Sequence, residues 1–268
     1  MTARIWVILP FAFTFAAPIA LCQASSTGPP PVVNFSDGGA SPRGTGPMES
    51  IFVPPKPNAP FSMKLAAEWT RPMAGGGSFT LVNERAIMRD RQGRIYQERR
   101  ILVPKGSEFK SEMSVFQITD PLLHIWYNCS PNEKVCDLMP YDLTPQMKYQ
   151  PKLWATGPLP DGRGVSDVVD LGINTVEGQA THGYRESITF NPGTMGNDQP
   201  MTSLHEFWFC SQLGFNLLSI VDNPQTGKQV FTVKELTTSE PELSMFQVPD
   251  GYKIIDRREE ADKPPNQH

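Results

Sequence analysis

From Phe61 to Thr70 the residues alternate in kind, with Ala66 the one apolar residue in the polar series. Phe61, Met63, Leu65, Ala67 and Trp69 stand against Ser62, Lys64, Ala66, Glu68 and Thr70. A period of two sends successive side chains to opposite faces of a strand, so this stretch has one face for a core and one for water. Strand-like runs recur over Ser78–Arg89, Arg94–Val103, Met113–Thr119, Leu122–Asn128 and Lys134–Met139. They continue over Val168–Val176, Tyr184–Phe190, Thr202–Cys210, Phe215–Val221 and Gln229–Leu236. Gly75-Gly76-Gly77, Asp90-Arg91-Gln92-Gly93, Asp120-Pro121, Glu177-Gly178, Asn191-Pro192-Gly193 and Asp222 to Gly227 punctuate them. Turns at intervals of about 8–12 residues, with no long amphipathic helix, predict an all-β sheet, sandwich or partly closed barrel. Pro140–Val168 and the stretch near Ser239–Phe246 leave room for hidden helix, and in the latter Glu240-Pro241-Glu242 reads as a first turn.

The N-terminus reads differently. Arg4 precedes an apolar run from Ile5 to Leu21, and Cys22-Gln23-Ala24 offers a cleavage site, so residues 1–24 read as an export signal. Pro10 and Pro18 interrupt the run, which is shorter than the roughly 20 residues a membrane span wants. A retained anchor is the alternative. Lipidation at Cys22 is disfavoured, because Leu21 stands where a lipobox has a small residue. No membrane span is expected after leader cleavage. Residues 25–60 are rich in Pro and Gly and read as a disordered linker, with Ile51-Phe52-Val53 as a short sticky element. The β-rich domain is placed at 61–256 and a loose charged tail at 257–268.

A net charge of −4 leaves no electrostatic footprint for nucleic acid. The arginines Arg89, Arg91, Arg94, Arg99 and Arg100 are interrupted by acidic residues and read as a solvated strand face. Of the four cysteines, Cys22 leaves with the leader. Cys129 and Cys136 flank a hairpin tip at Asn132-Glu133 that sets them opposite each other, and export favours oxidation, so a disulfide is expected. Two reduced thiols are the alternative; a metal site lacks a second ligand pair. Cys210, beside Trp208 and Phe209, reads as a buried thiol.

Catalytic signatures are absent: no nucleophile elbow, P-loop or dinucleotide fingerprint. His205-Glu206 begins like a zinc-protease helix, but Phe209 stands where the second histidine belongs. His124, His182 and His205 read as packed or solvated. Asp167, Asp170 and Glu177 form a possible carboxylate group that strand-end solubility explains equally well. No catalytic, metal or cofactor residue is assigned. The more suggestive set is aromatic: Trp69, Phe116, Trp126, Tyr184, Phe207 and Phe231 sit on strands. One face of a strongly curved sheet would gather such rings into a concave apolar surface; an ordinary filled core is the alternative.

A series of short motifs runs in order along the chain. Glu68-Trp69-Thr70 is followed by Arg89-Asp90-Arg91-Gln92-Gly93-Arg94, Ile118-Thr119-Asp120-Pro121 and Ile125-Trp126-Tyr127. Then come Leu171-Gly172, Val176-Glu177-Gly178, Glu206-Phe207-Trp208, Asp222-Asn223-Pro224, Glu240-Pro241 and Phe246-Gln247-Val248-Pro249-Asp250-Gly251-Tyr252. The series resembles a group of uncharacterised exported bacterial proteins. More distantly it resembles the periplasmic lipoprotein-carrier superfamily of LolA/LolB-like and RseB-like domains. That resemblance implies a curved antiparallel sheet forming an incomplete, half-open barrel around a hydrophobic cavity, with few short helices. It implies a non-enzymatic envelope protein, periplasmic or extracellular and peripheral to the envelope at most, that binds a lipid or lipidated protein. The carriers' lid helices have no counterpart in this sequence, and no carrier residue is matched. The alternatives are a structural or sensory module pairing with an envelope protein, and a hydrolase with a dispersed site.

Overall fold

The structure, a computed structural model, describes residues 50–141 and 153–261. The expected leader and most of the expected linker lie outside those residues. Alternation and turns produce β1 (Phe61–Pro72), β2 (Ser78–Arg89), β3 (Ile95–Arg100), β4 (Val103–Pro104), β5 (Met113–Asp120), β6 (Ile125–Ser130) and β7 (Val135–Pro140). The second half supplies β8 (Gly157–Pro158), β9 (Gly164–Val176), β10 (Gln179–Phe190), β11 (Met201–Cys210), β12 (Phe215–Asn223), β13 (Gly227–Thr237) and β14 (Lys253–Asp256). All belong to one sheet in the order β14-β7-β6-β5-β3-β2-β1-β13-β12-β11-β10-β9-β8, with β4 paired to β2. Pairing is antiparallel except for β14 on β7. The chain starts in the middle of the sheet, builds outward to β7, restarts near the far edge at β8 and returns by hairpins until β13 pairs with β1. The sheet is curved and does not close into a barrel, as the resemblance implies.

Which face is concave follows from one pair of rings. Phe61 on β1 and Phe215 on β12 are separated by β13, which in a flat sheet sets their strands roughly 9.6 Å apart. Their ring centroids are 4.9 Å apart. The face bearing them therefore curls inward. Gly227 permits the tight join of β13 to β1: its φ is +88°, and a Cβ there would meet the Thr70 carbonyl oxygen at 2.2 Å.

The sheet is buried from both sides, by different segments. On the inner face Phe61, Leu65, Ile87, Phe215, Leu217, Phe231 and Val233 pack with Ile51 and Val53. On the outer face Tyr96, Phe116, Ile118, Cys129 and Cys136 pack under Phe246, with Met245, Val248 and Tyr252 beside it. Cys129 pairs with Cys136 across β6–β7 and the two are joined by the expected disulfide, Cα–Cα 4.0 Å. Cys210 is a buried free thiol.

Three expectations are corrected. Residues 50–60 are not loose: they seal the inner core, and Arg89 holds them. Its side chain is fully buried and donates to the carbonyls of Ala59 (2.9 Å), Pro54 (2.7 Å) and Leu213 (2.7 Å). A Pro-rich segment leaves its carbonyls without partners of its own, so a buried guanidinium can collect them. For the same reason Arg89 does not sit on a solvated face. Near Ser239–Phe246, where the sequence left room for helix, a 3₁₀ helix does form at Leu243–Phe246. The first residues of the expected loose tail are held: Arg257 lies on Asp137 at 2.9 Å and a helical turn follows, α1 (Arg258–Ala261).

Candidate ligand-binding face

Register assigns each candidate ring to a face. One row crosses seven strands: Asp170, Tyr184, Phe207, Ser219, Phe231, Ala67 and Asn83. The next runs through Val168, Glu186, His205, Val221, Gln229, Trp69 and Leu81. Trp126 reaches the same face through Thr119, Ile95, Arg89 and Phe61. Trp69, Trp126, Tyr184, Phe207 and Phe231 thus share the inner face. Phe116 does not. It pairs with Glu98, whose neighbour Gln97 faces inward, and it packs on Tyr96 (5.9 Å) and Tyr252 (5.6 Å) at the outer core. Its place as a ligand-facing residue is corrected: a one-residue change of parity, fixed by ladders several strands away, reverses the face.

The inner-face rings do not form a single cluster. Phe231 is 1% exposed within the inner core. Trp126 packs with Met139 and Tyr141. Trp69 is half-buried and donates from Nε1 to the Thr226 carbonyl at 2.7 Å. Tyr184 and Phe207 belong to a ladder of rings on β10 and β11. His182 stacks on Tyr184 at 4.5 Å, Tyr184 meets Phe207 at 5.7 Å, and Phe207 meets His205 at 4.8 Å. Beside this ladder lies a half-open pocket of about 380 Å³ lined by Leu153, Ile173, Ala180, Thr181, His182, Tyr184, Phe209 and Ser211.

Polar contacts fix the ladder. His182 Nε2 lies 2.6 Å from Asp170 Oδ1, and His182 Nδ1 lies 3.2 Å from the Tyr184 hydroxyl. With Nε2–H donating to the carboxylate, Nδ1 accepts from the phenol. The bond from His182, and one from the Gly172 N–H, hold the Asp170 carboxyl below its ordinary value. Asp170 was legible as an acid but not as the partner of His182, because a bulge between Gly183 and Tyr184 shifts the β9–β10 register. Asp167 alternates to the opposite face, and Glu177 Oε2 accepts from the Leu236 N–H at 3.4 Å, so the three carboxylates do not form a group.

A second polar line was missed in the sequence. Ser219 Oγ lies 3.1 Å from His205 Nε2, and His205 Nδ1 lies 3.7 Å from Glu186 Oε2. The order is that of nucleophile, base and orienting acid. Ser219 is 1% exposed, however, and 3.7 Å exceeds hydrogen-bond reach, while Glu186 Oε1 accepts from the Trp154 N–H at 2.8 Å. The line is a packed polar contact with its hydroxyl buried. Among the described residues no group of three His, Cys, Asp or Glu could hold a metal, and no helix is long and apolar enough to cross a membrane.

No protein-family model matches the sequence, and no curated protein does. Among solved structures the chain is similar to an uncharacterised conserved protein from Thermus thermophilus, with 8% identity over 75% of this chain and 91% of that one, TM-score 0.35. It is similar to MucB, with 11% identity over 75% of this chain and 61% of that one, TM-score 0.37. It is also similar to a LolA-superfamily protein from Nitrosomonas europaea, with 8% identity over 72% and 91%, TM-score 0.29. Matches at these TM-scores transfer no residue, ligand or activity to this chain.

Proposed function

We propose that the chain is an exported envelope protein that holds a lipophilic ligand, the acyl chain of a free lipid or of a lipidated protein, on the inner face of its sheet, without catalysis. One observation carries the reading: the ring ladder of His182, Tyr184, Phe207 and His205 lies on the concave face and borders a half-open pocket. Apolar burial contributes about 25 cal/mol per Å² before the costs of ordering, and Leu153, Ile173, Ala180 and Phe209 offer such surface in a pocket whose lining is otherwise polar. On this reading residues 1–24 route the protein out of the cytoplasm.

Native mass spectrometry of gently purified protein, with uptake of a fluorescent fatty acid, tests this. Co-purified lipid and saturable uptake are expected. Repeated recovery without lipid, and no uptake, would refute it.

A second reading draws on the sheet's edge. Among the described residues β8 covers only Val165 and Ser166 of β9, and Val169 and Ile173 beyond them are 43% and 73% exposed. An open edge with exposed apolar side chains can accept a partner strand. Substituting Lys at Val169 blocks such pairing and leaves lipid uptake intact, which separates the two readings.

A further inference from the structure

The inner face changes character at β1. Toward β13 it is aromatic; on β2, β3 and β5, past the apolar Ile87 and Ile95, it is polar and cationic. Asn83 and Arg85 on β2, Gln97 and Arg99 on β3 and Gln117 on β5 all face inward. The β2–β3 ladder ends at Ile87 and Gln97, and beyond it side chains bridge the parting strands. Arg85 Nη1 donates to the Glu98 carbonyl at 3.1 Å, and Asn83 Nδ2 to the Arg100 carbonyl at 2.8 Å. Arg85, 6% exposed, also donates to Ser50 Oγ. Arg99 donates from Nε to Gln117 Oε1 at 3.4 Å.

Neither guanidinium has a carboxylate at ion-pair distance among the described residues. Glu98, between them, faces outward and is engaged by Arg100 at 2.7 Å and by the Ala86 N–H at 3.1 Å. Asp137, the acid this face carries on β7, is held by Arg257 at 2.9 Å. Arg85 is thus buried and Arg99 half-buried, neither with a carboxylate at ion-pair distance among the described residues, although the Glu98 charge acts on Arg85 from further off. Burial lowers the basicity of both, and repulsion from Arg99 helps bring Arg85 to about 9. Such a pair leaves a positive potential waiting for an anion. Buried polar atoms without partners stand on the same face: Asn83 Oδ1 next to the arginines and Gln229 Oε1 further along.

We infer that the ligand is an anionic amphiphile, its carboxylate or phosphate oxygens docking on Arg99 and Arg85 and its chain lying on the half-buried inner-face rings Trp69, His205 and Tyr184. The inference rests on the lipophilic-ligand reading above and adds the polar end. Four strand spacings separate β2 from β11, about 19 Å in a flat sheet, which is the reach of a long acyl chain. Arginine suits the role because its planar fork meets two anionic oxygens at once.

The test is calorimetric titration of the full purified protein with palmitate, with hexadecanol and with inorganic phosphate. Palmitate binding about tenfold tighter than hexadecanol supports the inference. In Arg99→Gln, palmitate affinity falls about tenfold, whereas Arg91→Gln, on an exposed turn, leaves it unchanged. Arg99→Gln is preferred to an Arg85 variant because Arg85 also bridges two strands; an unchanged melting temperature confirms that it folds. Equal affinity for palmitate and hexadecanol overturns the anionic end and leaves the lipophilic reading standing. Binding of neither overturns both. Phosphate binding as tightly as palmitate makes this a free-anion site and overturns the amphiphile.

Discussion

The two halves of the sheet are buried from opposite sides. From β1 to β12 the core is on the inner face, closed by residues 51–53 and clamped by Arg89. From β3 to β7 the core is on the outer face, closed by residues 245–252 and stapled by Cys129–Cys136. A sheet this wide cannot cover both faces with its own chain. It uses one non-strand segment per half, on opposite sides, and the aromatic end of the inner face is left with the half-open pocket. The lesson is that burial of a ring does not reveal its role here: Phe231 and Phe116 are equally hidden and face opposite ways.

The comparison breaks most directly at those two rings. Phe231→Ala and Phe116→Ala each remove a buried aromatic and are expected to cost about 3–5 kcal/mol in denaturant unfolding. Only Phe231→Ala should also weaken fatty-acid uptake by the folded protein. Equal loss of uptake in both would deny that the faces differ in function.

Arg89→Met tests the inner closure. Three carbonyls lose their donor, and a loss of about 3 kcal/mol is expected. Hydrogen exchange should rise first over residues 51–59; a uniform rise across the sheet would mean the segment is not held by this side chain. The outer half has its own staple. Replacing Cys129 and Cys136 by Ala should cost about 2 kcal/mol, because the loop is short. Alkylation in denaturant without reductant should label Cys210 alone in protein lacking Cys22.

The smallest effect belongs to Asp170. Its folded-state pKa lies below the ordinary 3.8, so its contribution is present above that pH and lost as pH falls through the lower folded value. Titration followed by NMR should place the carboxyl below 3.8, and His182→Gln should bring it back toward that figure.

The fold was legible where the signal is local. Alternation from Phe61 to Trp69 gives β1 and its buried face, and the hairpin at Asn132-Glu133 sets Cys129 against Cys136. It was illegible where the cause is distant. The parity of Phe116 depends on register through β5, β3 and β2. The order in residues 50–60 depends on Arg89, a residue type that normally signals solvent. Part of the candidate face could be read: aromatic residues on strands marked it. The joining of His182 to Asp170 could not, since it needs a bulge that composition does not announce.

The account turns on the ligand lying against the inner face and not the outer one. Single-tryptophan variants separate the two, because Trp69 faces inward while Trp208 lies outward over Gly183, whose Cβ would stand 2.7 Å from its ring. Titration with dibrominated stearate should quench the fluorescence of the protein retaining Trp69 and spare the protein retaining Trp208. Quenching of Trp208 with Trp69 unaffected would contradict it.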